Sequence, residues 1–158
     1  MSEQILQINL ENITELECKH RNDHDGYEYH KYELVKRSDA KQSLVSLIEI
    51  LPGKSAYPYH YHTQNEEVFY ILSGSGILKT CSGEKNVSAG DLLFFPPNEK
   101  GAHKLTNTSE TETLVYLDFS TQNEIDAAFY PDSGKIGIWG KNINKVFKTE
   151  EVNYYADE

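Results

Sequence analysis

The sequence predicts an all-β domain, a sandwich or a closed barrel, on three observations. Apolar segments of strand length recur along the chain. Each is bounded by Gly, Pro, Asn, Asp or Ser, the residues that supply turn dihedrals. The 158 residues form no internal repeat and are enough for one core, so a single domain is expected.

Taken in order, the expected strands are Tyr29 to Lys36, Ser43 to Leu51, Glu67 to Leu72 and Gly76 to Cys81, then Asp91 to Phe95, His103 to Thr106 and Thr113 to Phe119. Breaks such as Leu51-Pro52-Gly53, Ser73-Gly74-Ser75-Gly76 and Pro96-Pro97-Asn98 separate them. Near the N-terminus, Ile5, Ile8, Leu10, Ile13 and Leu16 fit neither the helix nor the strand period. They are expected to form an edge strand that crosses to a second subunit. Arg21 to Gly26 reads as a solvated turn, and Thr121 to Phe129 as a short helical turn. The acidic end, Glu150 to Glu158, is expected to be partly disordered.

Charge excludes several function classes. Fifteen Lys and Arg against 25 Asp and Glu give a net charge of −10, with no basic cluster in the sequence. That balance argues against nucleic acid or an anionic membrane as a partner. Runs such as Leu47 to Leu51 are too short and too interrupted to span a bilayer. Met1 to Gln4 lacks the start of a signal peptide, so a cytoplasmic location is expected. Cys18 and Cys81 are expected to be free thiols rather than a disulfide framework.

His60, His62, Glu67 and His103 carry the chemistry. Three imidazoles and one carboxylate suit a divalent transition metal. Strand residues i and i+2 share a face, so His60 and His62 project together. Thr63-Gln64-Asn65 reads as a turn, after which Glu67 opens the returning strand. One hairpin then delivers three ligands, and His103 arrives from a third strand.

The residues around these ligands resemble the two motifs of the cupin family. The first runs from Gly53 through His60, His62 and Glu67 to Gly74. The second runs from Gly90 through Pro96 and His103 to Asn107. The glycine-to-His and Pro-to-His spacers are slightly longer than the usual form. The resemblance implies a jelly roll, the double-stranded β-helix barrel. It also implies an organisation of 1–40 as an N-terminal extension and first strands, 41–120 as the barrel core and 121–158 as a C-terminal segment packed on it. The implied ligands are His60, His62, Glu67 and His103, holding one divalent ion per subunit (Mn, Fe, Ni or Zn). The implied activities are those of small metalloenzymes acting on a carboxylate, enol or sugar-like molecule. The alternative is a metal-containing protein that binds or senses such a ligand without turnover. Pairing into a homodimer is also expected, through Val68, Tyr70 and Leu72 or the N-terminal strand.

Neighbouring residues sharpen the assignment. Glu66 and Glu67 alternate, and placing Glu67 inside also places Phe69 and Ile71 there. Tyr57, Tyr59 and Tyr61 are expected on the face opposite His60 and His62. Asn65 and Asn107 read as turn residues rather than ligands. His20 and His24 lie beside Asp23 and Asp25 in polar surface sequence, where a second metal site is the weaker reading. No phosphate loop or nucleophile elbow occurs, and no residue is singled out as catalytic.

Overall fold

The computed structural model describes residues 5–158; Met1 to Gln4, read above for a leader, lie outside the described residues. Its strands are β1 (Cys18–His24), β2 (Tyr27–Val35), β3 (Ser43–Ile50), β4 (Tyr61–His62), β5 (Glu67–Ser73), β6 (Ser75–Thr80) and β7 (Gly83–Ser88). They continue with β8 (Leu92–Phe95), β9 (His103–Asn107), β10 (Leu114–Thr121), β11 (Ile125–Tyr130), β12 (Lys135–Gly140) and β13 (Ile143–Lys148). The sheet orders are β1-β2-β3-β10-β5-β8, β13-β12-β11-β4 and β7-β6-β9, and every strand pair is antiparallel. The expected all-β jelly roll is the architecture observed.

Two apolar clusters hold it. Ile48, Ile50, Phe69, Ile71, Leu78, Leu105, Leu114 and Tyr116 form the barrel interior, between the six- and three-stranded sheets. Strand alternation assigns them: Phe69 and Ile71 are buried as expected beside Glu67, while Tyr70 and Leu72 lie on the opposite, exposed face. Burying a side chain the size of Ile71 is worth about 2 kcal/mol. The second cluster, Tyr32, Leu34 and Leu47, lies on the other face of the large sheet. Ile8, Leu10, Ile13 and Leu16 cover it.

That covering corrects the reading of the N-terminus. Leu10–Glu15 is a 3-10 turn, started where the Asn9 side chain accepts a hydrogen bond from the Glu11 amide at 3.0 Å. Its irregular apolar spacing fits a segment that drapes over its own sheet rather than pairing in one. Arg21 to His24 likewise belong to β1, and only Asp25-Gly26 turns, Gly26 supplying a φ of 81°. Polar residues are tolerated there because β1 is an edge strand. Thr121 to Phe129 holds the end of β10 and most of β11, not a helical turn. β11 is held by pairing with both β4 and β12, which overrides local helix propensity.

Candidate metal centre

His60, just before β4, and His103 in β9 form an antiparallel bridge. Their amides and carbonyls exchange both hydrogen bonds, at 3.2 and 2.9 Å. His103 is delivered by the turn at Glu99–Gly101, where a Cβ on Gly101 would overlap the Pro96 carbonyl. Glu67 opens β5 in the large sheet, whereas His62 is in β4, which pairs with β11. The expected β4–β5 hairpin therefore does not form. The ligand-bearing strands face each other across the barrel mouth instead, because Thr63 to Glu66 crosses between sheets.

Each imidazole is oriented from behind. His60 Nδ1 donates to the Pro58 carbonyl at 2.8 Å, and His103 Nδ1 to the Gly101 carbonyl at 2.8 Å. His62 Nδ1 donates to Asp126 Oδ2. With every Nδ1 committed as a donor, the Nε2 lone pairs are free to ligate. All three point at one oxygen, Glu67 Oε2, at 4.0 Å from His60, 3.6 Å from His62 and 3.3 Å from His103. Adjacent ligand atoms on a metal with bonds of about 2.1 Å sit about 3 Å apart, so the spacing suits one shared ion. Ligand atoms of His60, His62 and Glu67 all lie within 4.8 Å of one another. Glu67 Oε2 and His103 Nε2 are buried without a hydrogen-bond partner. Two such atoms are costly unless something binds them both.

Burial sets the protonation states. It pushes His60 down to about 4, helped by His103, and lowers His103 as well. Burial would also lower His62, but the Asp126 hydrogen bond and the Glu67 charge outweigh it and the net shift is upward. Glu67 is raised by burial and lowered more by the three imidazoles, so it stays ionised. The set is two neutral imidazoles, one more basic imidazole and a carboxylate, a donor combination that fits a divalent cation.

Two carboxylates escaped sequence reasoning. Asp126 is 1% exposed and its Oδ1 also accepts from the Gln64 and Asn65 amides at 2.8 and 3.2 Å. The only signal in the sequence was an acidic residue amid apolar ones in Ile125 to Tyr130. Asp118 lies in β10 opposite Phe69, on the face that carries Glu67, and its Oδ1 is buried without a partner. Burial, then the Glu67 charge, raises it to about 7. His60, His62, Glu67, Asp118, Tyr57, Tyr130, Trp139 and Lys31 line a cavity of about 350 Å³ over the centre.

The tyrosines do not share one face, because the chain before His60 is not a strand. Tyr61 does stack on Phe129, away from the centre, and Tyr59 lies under Lys79. Tyr57 packs against Tyr29 and the barrel interior. Asn107 is fully buried and is no ligand; its amide donates to the Ile50 and Glu112 carbonyls at 2.9 and 2.7 Å. Asn65 accepts from the Asn123 amide at 3.1 Å. His20 pairs with Glu28 at 3.0 Å, and among the described residues no metal-holding group includes His20 or His24. Cys18 and Cys81 are exposed and unpaired.

Known proteins share this fold. The family described as a cupin domain matches residues 46–120. An uncharacterised protein of Methanocaldococcus jannaschii is 37% identical over 67 residues, 42% of this chain and 50% of that protein. An oxalate-binding protein of Thermotoga maritima is 31% identical over 72 residues, 46% of this chain and 57% of that one. The chain thus spans about half the length of the curated relatives it matches here. Among solved structures, a candidate sugar phosphate isomerase of Acidithiobacillus ferrooxidans superposes with a TM-score of 0.80 at 25% identity, covering 94% of this chain and 97% of that one. Fold, paired motifs and domain match coincide, and the barrel core, residues 46–120, matches the cupin domain family.

Proposed function

We propose that the chain is a metal-dependent enzyme that binds a small hydroxycarbonyl or carboxylate compound at His60, His62, Glu67 and His103 and moves a proton within it. The convergence of three Nε2 atoms on Glu67 Oε2 carries this reading. One divalent ion per subunit (Mn, Fe, Ni or Zn) would polarise a bound carbonyl or carboxylate oxygen. The protein supplies the rest. Asp126 holds His62 in its ligating tautomer, and the Pro58 and Gly101 carbonyls do the same for His60 and His103. On the same sheet face as Glu67, Asp118 presents an unpartnered carboxylate oxygen. It can accept a proton from the hydroxyl-bearing carbon beside the carbonyl and return it to the carbonyl carbon, while the hydroxyl proton passes to the carbonyl oxygen. That transfer is an isomerisation, and it consumes nothing.

The full-length likeness to a candidate sugar phosphate isomerase supports this reaction class. A second reading, binding of a dicarboxylate without turnover, is favoured by the likeness to an oxalate-binding protein. Metal-loaded protein incubated in D₂O with a panel of aldoses, ketoses and hydroxyacids separates them. The enzyme reading expects solvent deuterium at the carbon beside the carbonyl of at least one compound. Binding of oxalate with no deuterium entering any compound supports the second reading. We also take the protein to be a cytoplasmic homodimer, consistent with its exposed free thiols and exposed apolar strand faces.

A further inference from the structure

Cations in this acidic chain are unevenly placed. Lys31, Lys36 and Arg37 line the cavity over the centre. Arg37 also lines an adjoining cleft of about 570 Å³, whose walls include Lys41 and Lys141. Five of the 15 basic residues thus line two openings that share Arg37, on a chain with 25 acidic ones. Among the described residues none of the five is in an ion pair; the lysines that are paired are Lys19 with Glu33 and Lys79 with Asp132. The carboxylates on the same walls are Glu33, Glu67 and Asp118 in the cavity and Glu124 in the cleft. Glu33 is neutralised by Lys19, and Glu67 is committed to the imidazoles.

We propose that Arg37, with Lys36, Lys41 and Lys141 around it, forms an anion subsite for the phosphate of a phosphorylated hydroxycarbonyl substrate whose carbonyl end lies at the metal centre. The assignment of the carbonyl end rests on the function proposed above; the anion subsite does not. A guanidinium can hold two phosphate oxygens in parallel, and flanking ammonium groups balance a dianion's remaining charge. Position matters as much as charge. A chain of net charge −10 repels anions at a distance, so a local cationic opening is what lets a phosphorylated compound enter. Gln122, whose Oε1 is buried without a partner, also lines the cleft and can take a hydroxyl donor from the sugar chain.

Calorimetric titration of inorganic phosphate tests this on three samples: metal-loaded wild type, chelator-treated wild type, and the Arg37→Gln/Lys41→Gln double variant. Both positions are exposed, so the double variant leaves the core intact, which circular dichroism verifies. Expected are equal binding by the first two samples and a loss of about ten-fold or more in the double variant, the equivalent of one good charged contact. The subsite is overturned if wild type fails to bind phosphate or if the double variant binds it equally. It is overturned too if chelation abolishes binding, since phosphate would then be a metal ligand. Metal content is measured separately, so failure of the metal centre and failure of the subsite are told apart.

Discussion

His62 and Asp126, 64 residues apart in sequence, share a hydrogen bond that fixes the imidazole with Nδ1 as donor and Nε2 turned toward Glu67. Asp126 is itself fixed by the Gln64 and Asn65 amides, so the loop leaving β4 and the strand β11 lock each other. Replacing Asp126 by Asn keeps the shape but removes the charge that makes His62 a better donor. Metal affinity is expected to fall by about 10- to 100-fold, the usual cost of losing such a partner. Competition against a chromophoric chelator measures it, and unchanged affinity would show that Asp126 only stabilises the fold.

Acid should weaken the centre in a defined window. His60, lowered to about 4, and His103, also lowered, take up protons less readily folded than unfolded, where histidine titrates near 6.5. The unfolded state therefore binds more protons between about pH 6.5 and 4, and stability falls as pH falls through that range. His62 is shifted upward and acts above that window: its contribution is complete below about pH 6.5 and is lost as pH rises through its folded value. In chelator-treated protein the melting temperature is expected to drop between pH 7 and 5. Bound metal should be lost over the same window, because protons compete for the same nitrogens. Metal retained unchanged to about pH 3 would contradict histidine ligation.

Asp118 contributes with the opposite sign. Burial first, then Glu67, raises it to about 7, so the folded protein holds a proton that an unfolded Asp releases near 3.9. Its cost grows as pH rises from about 4 to 7 and is complete above that. Asp118→Asn should therefore raise the melting temperature of chelator-treated protein at pH 8 more than at pH 5, while abolishing deuterium exchange in the loaded enzyme. Equal shifts at both pH values would mean that Asp118 is not a buried charge at neutral pH.

The outer face of β5 and the edge strand β8 expose Tyr70, Leu72, Leu92, Phe94 and, from β10, Phe119, at 39%, 37%, 66%, 56% and 41%. A contiguous apolar face on an unpaired edge is a natural place for a second copy to dock. Light scattering at micromolar concentration is expected to give twice the chain mass, and Phe94→Lys to give the monomer. A wild-type monomer would reject this association.

Much of the fold was legible because periodicity is local. The seven expected strands appear as β2, β3, β5, β6, β8, β9 and β10, their ends shifted by one or two residues. β1, β7 and β11 to β13 were missed where polar residues or small apolar ones hid the alternation, and there pairing partners, not propensity, decide the structure. The four candidate ligands were legible from their motifs. What supports them was not: Asp126 and Asp118 acquire their roles only when β11 meets β4 and β10 meets β5. The expected hairpin failed for the same reason, since sequence neighbours His62 and Glu67 belong to different sheets.

Elemental analysis of freshly purified, untagged protein decides whether His60, His62, Glu67 and His103 hold a metal. About one divalent transition metal per subunit is expected in wild type, and loss of most of it in His62→Ala with the β-sheet circular dichroism retained. Wild-type protein without bound metal, and without a thermal shift on adding Mn²⁺, Fe²⁺, Ni²⁺ or Zn²⁺, would contradict it.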